Sequence, residues 1–75
     1  MDRDFLMNTS LWPNMGRYCC LKRGNEAAFI LTADNPHGMN GSVILSLGNV
    51  FDGGTGETVQ YESVDHIIND GWLVD

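Results

Sequence analysis

From Arg17 onward, short runs of alternating apolar and polar residues are separated by glycines and asparagines at intervals of about 8 to 15 residues, the spacing of a small all-β barrel or sandwich. Five strands are predicted. The first two, over 17–23 and 26–33, flank Gly24-Asn25, a two-residue connection whose glycine tolerates the positive φ of a type I′ or II′ hairpin turn. After the polar loop from Asp34 to Gly41, the run 42–47 alternates, with Val43, Leu45 and Leu47 on the core face and Ser42, Ile44 and Ser46 on the other. The glycines of Asp52-Gly53-Gly54-Thr55-Gly56 mark a tight reversal into a strand over 58–62, in which Val59 and Tyr61 point inward. Ser63 is placed to cap a short helix whose Val64, Ile67 and Ile68 share a face, and Gly71 ends it. A closing strand over 72–74 puts Trp72 and Val74 on one side, in a register that can bury the indole.

Residues 1–16 break this pattern. They hold three of the four methionines, show no alternation, and include a Pro13-Asn14 step that favours a turn. The expected organisation is an N-terminal arm over 1–16 and one small β-barrel domain over 17–75. The arm's Phe5, Leu6, Leu11 and Trp12 have two uses open to them, folding back over a barrel end or engaging a partner. A chain of 75 residues buries about 60% of the surface its unfolded form exposes, which suits one domain of modest stability.

The order of hairpin, long polar loop, strand, glycine turn, strand, helical turn and short final strand resembles the small SH3-like barrel. Tyr18 to Leu31, Gly41 to Gly48 and Val59 to Val74 carry the resemblance, about three quarters of the chain. It implies a mainly β fold: a five-stranded SH3-like barrel with one short helical turn before the last strand. The paired tyrosines and proline that line peptide grooves in SH3 domains are missing, so polyproline binding does not carry over.

Charge narrows the function further. The formal net charge is -6, and from Gly24 to Asp75 there is no lysine or arginine beside eight acids. Such a field repels nucleic acid and anionic lipid and attracts basic proteins. The adjacent Cys19 and Cys20 cannot staple distant segments, which points to a reducing, cytoplasmic setting. The Phe5-Leu6-Met7 run is too short for a signal-peptide core or a membrane span.

Motifs for chemistry are sparse. Cys19 and Cys20 alternate across a strand, one inward and one outward, and do not form a metal pair. His37 and His66 need a nucleophile and an orienting carboxylate to act as general bases, and no serine stands in a nucleophile-elbow context. The Asp52 to Glu57 loop lacks the lysine of a phosphate cradle and the oxygens of a calcium site, so it reads as a β-turn. No catalytic residue, cofactor or metal is expected.

What remains is binding. Asp34, Asp52, Glu57, Glu62, Asp65 and Asp70 are expected to meet a basic partner, with Glu57 and Glu62 on the outer side. Trp12, Phe51 and Trp72 are the expected anchors if exposed. In size, acidity and lack of catalytic motifs the chain is similar to small phage-encoded inhibitors of bacterial defence, anti-CRISPR proteins among them. That likeness implies a non-enzymatic inhibitor of a basic, nucleic-acid-handling host protein, acting as a monomer or homodimer without touching nucleic acid or membrane. The alternative is an SH3-like assembly or adaptor module that self-associates through a strand edge, Ser42 to Leu47 being the expected edge.

Overall fold

All five expected strands form in the computed structural model, which describes residues 2–75. They are β1 (Tyr18–Arg23), β2 (Glu26–Leu31), β3 (Val43–Leu47), β4 (Thr58–Tyr61) and β5 (Leu73–Val74), joined in one antiparallel sheet ordered β4-β3-β2-β1-β5. Three short segments accompany the sheet: the helices α1 (Asp2–Met7) and α3 (Val64–Asn69), and between α1 and β1 the turn α2 (Pro13–Gly16), in which Asn14, Met15 and Gly16 all take positive φ. The sheet does not close: β4 and β5 stand at its two edges.

Local chemistry explains most of these elements. Arg23 lies across from Glu26 at the end of the first hairpin, and Gly24 takes φ 58 while Asn25 keeps a negative φ, as a type II′ turn requires. The Ser63 side chain accepts from the His66 N–H at 3.3 Å and so caps α3. At its other end the Gly71 N–H bonds the Ile68 carbonyl and the Trp72 N–H the Ile67 carbonyl, the paired bonds of a Schellman motif. That motif turns the chain so that Trp72 enters the core just before β5.

Alternation sorts the sheet into two faces. Cys19 and Leu21 of β1, Ala28 and Ile30 of β2, and Val43 and Leu45 of β3 join Val64, Ile67 and Trp72 in one core, with Met39 from the β2–β3 connection. Leu6 and Trp12 belong to that core as well, so residues 2–16 fold back as structural elements. The Trp12 indole N–H bonds the Phe5 carbonyl at 2.9 Å, which ties this segment into its own turn. Full burial of a side chain such as Leu6 stabilises by on the order of 2 kcal/mol.

On the other face Phe29 is covered by the β3–β4 connection, residues 48–57. A Cβ built on Gly54 would lie 2.7 Å from the Leu47 carbonyl oxygen and 3.0 Å from Phe29 Cε1, so this loop can fold down onto the ring only with glycine there. Asn35 repairs a gap between β2 and β3. Their ladder runs through Ala28–Leu47 and Phe29–Ser46, and further along the Asn35 amide donates to the carbonyls of Leu31 and Ile44 and accepts from the Ile44 N–H. A side chain thus completes the backbone pairing where the strands splay.

Two expectations about strand environment are corrected. Ser42 to Leu47 is not an edge, because β3 lies between β2 and β4. Val59 faces the core side opposite Leu45, yet it is 36% exposed, because β4 is the edge and no element packs over its outer half.

Candidate functional site

The six acids expected to meet a partner fall into two groups. Asp65 in the first turn of α3 and Asp70 at its C-cap are held by cations. The Arg3 guanidinium pairs with Asp65 at 2.7 Å, and Arg23 pairs with Asp70 at 2.8 Å. Asp34, Asp52, Glu57 and Glu62 are exposed and pair with no lysine or arginine among the described residues. Glu62 lies 3.9 Å from Nδ1 of the His66 ring. The remaining cations have other positions: Lys22 reaches Asp75 at 3.7 Å, and Arg17 forms no ion pair among the described residues.

Three of these acids, Asp34, Glu57 and Glu62, lie beside β4. Glu57 and Glu62 bracket β4, whereas Asp52 sits on the β3–β4 connection next to Val50 and Phe51, which border a hollow with Cys20, Leu21 and Ala27 of β1 and β2. Asp34 lines a shallow hollow with Pro36, His37, Ser42, Ile44 and Gln60, so it too lies beside β4. Phe51 on the β3–β4 connection is 85% exposed, in a turn held by its N–H bond to the Asn49 side chain at 2.9 Å, and it stands by the β1–β2 side of the sheet near Asp75.

Trp12 and Trp72 cannot serve as exposed anchors, being 3% and 1% exposed. Trp72 instead belongs to a polar network that the spacing of residues did not announce. Its indole N–H donates to the Tyr61 hydroxyl at 3.1 Å, the hydroxyl donates to the Asp70 carboxylate, and Arg23 stacks on the indole 4.4 Å from the ring centre. Arg23 also forks onto Glu26 through Nε at 2.9 Å and Nη2 at 3.2 Å, and bonds the Asp70 carbonyl at 3.1 Å. The tyrosine hydrogen bond holds the Asp70 carboxyl below the usual range, with Arg23 adding to it, and the bonds from Arg23 do the same for Glu26. Burial, then the Asp70 bond, pushes Tyr61 up. This network locks the β1–β2 hairpin to β4 and α3, and it takes Asp70 out of the freely available surface. A sequence signal existed for one part: Arg23 and Glu26 face each other across a hairpin legible from Gly24-Asn25.

The cysteines divide as expected, Cys19 buried and Cys20 half-buried, both free. Burial pushes Cys19 up to about 12, with Cys20 and Asp2 adding to it, and burial and Asp75 push Cys20 up, so both stay protonated at neutral pH. His37 borders the hollow beside Asp34, while His66 stands on α3, so the two histidines do not share a site. Among the described residues no cluster of His, Cys, Asp or Glu could hold a metal ion, and no helix is long and apolar enough to cross a membrane.

No family model, curated protein or solved structure matches this chain.

Proposed function

We propose that this chain is a non-enzymatic acidic protein that binds and inhibits a basic, nucleic-acid-handling protein, a phage-type anti-defence inhibitor in the manner of anti-CRISPR proteins. The observation that carries this reading is the separation of the expected acids into the cation-paired Asp65 and Asp70 and the exposed Asp34, Asp52, Glu57 and Glu62, which pair with no lysine or arginine among the described residues, three of them beside β4. Carboxylates spaced along such a face offer negative charge to a groove built for phosphates and displace its counterions. Phe51 supplies the desolvated anchor that charge alone does not. The fold reading that goes with it is an SH3-like barrel left open between β4 and β5, supported by the order β4-β3-β2-β1-β5 and by α3 between its last two strands.

The second reading, a self-associating assembly or adaptor module, draws on the open β4 edge in place of β3. Pull-down from bacterial lysate at low and high salt separates the two. The expected result is a basic nucleic-acid-binding protein, retained at low salt, released at high salt and competed by nucleic acid. Recovery of the chain alone, independent of salt, overturns the inhibitor reading.

A further inference from the structure

The two edges of the sheet are finished differently. In β5 the outward backbone group is the Val74 N–H, since Val74 sits opposite Leu21 while the Asp75 N–H bonds back to Cys20. Asp2 of α1 covers it, its carboxylate accepting that N–H at 3.0 Å. The edge is also two residues long. It is blunted in the way sheets protect their edges.

Nothing comparable covers β4. The Leu47 N–H bonds the Glu57 carbonyl, and the register pairs Leu45 with Val59 and Val43 with Tyr61, so the alternation of an antiparallel ladder turns the N–H and C=O groups of Thr58 and Gln60 outward. Among the described residues no loop or side chain bonds to these groups. Thr58, Val59 and Gln60 are exposed, with no proline, bulge or lysine to discourage pairing.

We propose that the β4 edge receives an extended, basic segment of the partner protein by strand addition. This rests on the acidic-face reading for the nature of the partner and goes beyond it in naming the mode of binding. Glu57 and Glu62 bracket the strand, about 17 Å apart at the rise of extended chain. A segment with two cations five residues apart sets each against one carboxylate, while an apolar residue between them meets the exposed Val59. A second copy of this chain fits worse. In the antiparallel register that pairs the outward groups of Thr58 and Gln60 across two copies, Glu57 of each copy lies opposite Tyr61 of the other, one position from its Glu62, so the second strand brings further acid and no cation to either carboxylate.

The test uses a labelled ten-residue peptide of alternating threonine and valine with two lysines five positions apart. Binding is followed by fluorescence anisotropy and by hydrogen exchange of the Thr58 and Gln60 amides. Those amides are expected to become protected, and Gln60→Pro to weaken binding about tenfold by removing an outward donor that β3 does not use. Thermal unfolding of Gln60→Pro checks its fold. A peptide N-methylated on alternate amides makes the same test on the unaltered protein, and it is expected not to bind. The same peptide with glutamates in place of the lysines is likewise expected not to bind.

Equal binding of the N-methylated peptide overturns strand addition and leaves the acidic-face reading standing. Equal binding of the lysine and glutamate peptides, both lost on N-methylation, keeps the edge and removes the basic partner. Absence of binding by the lysine peptide overturns the proposal, as does a wild-type dimer that Gln60→Pro dissociates.

Discussion

Asn35 does more for this fold than its place in a polar loop suggests. It is 8% exposed, and its amide makes the three bonds that join the Leu31 carbonyl to both backbone groups of Ile44. Asn35→Ala leaves those groups without partners where water reaches poorly, and we expect it to lower stability in urea by about 1–3 kcal/mol. Asn35→Asp keeps the shape, loses both donations and sets a carboxylate against two carbonyls, so it should cost at least as much. An unchanged midpoint for both variants would show that the splayed strands do not need the bridge. The sequence marks this asparagine as a turn former and no more, because its partner Ile44 lies nine residues on and is brought close by the β2–β3 return.

At the scale of elements, the β1–β2 hairpin, β4 and the end of α3 meet through Arg23, Tyr61, Asp70 and Trp72. Because the carboxyls of Glu26 and Asp70 titrate lower in the folded chain than in the unfolded one, the unfolded chain binds more protons in acid. The stability these groups contribute is therefore present at neutral pH and falls away below about pH 5, as pH drops toward their depressed values. Both side chains are more than half exposed, so the effect is screened. Melting temperature followed from pH 7 to pH 3 should fall less steeply in Asp70→Asn than in the wild type; parallel curves would assign the acid sensitivity elsewhere. The strands and the α3 caps of this assembly are legible from alternation, Gly24-Asn25, Ser63 and Gly71. The hub is not, since Tyr61 reads simply as an inward-facing strand residue.

Over the whole molecule, charge is sorted by contact. Four acids pair with cations, Glu26 and Asp70 with Arg23, Asp65 with Arg3 and Asp75 with Lys22. Of the other six, Asp2 accepts the Val74 N–H and Asp4 stands exposed on α1, while the free carboxylates of the proposed surface are Asp34, Glu57 and Glu62 beside β4 and Asp52 on the β3–β4 connection. Replacing those four with their amides should slow association with a basic partner about tenfold at low salt and change dissociation much less, since exposed charges steer encounter more than they hold a complex. Stopped-flow association across a salt series checks this. Equal rates for variant and wild type at low salt would exclude steering by this face. Asp65 and Asp70 are left out of the variant because each is tied to a cation, and their removal would confound binding with stability.

The sequence by itself determined the five strands, the first hairpin, the capped helix and the inward and outward cysteines. Each follows from periodicity and turn chemistry acting within a few residues of one another. It also showed the excess of acid but could not divide it. Tertiary structure alone decided that Trp12 and Trp72 are buried, that β3 is interior, and which acids stay free. It also decided that Asp2 covers one edge of the sheet and leaves the other open. The contacts responsible join Arg23 to Asp70, Arg3 to Asp65 and Asp2 to Val74, 47, 62 and 72 residues apart. No local pattern encodes such pairs, because they exist only once the sheet has brought the two ends of the chain together.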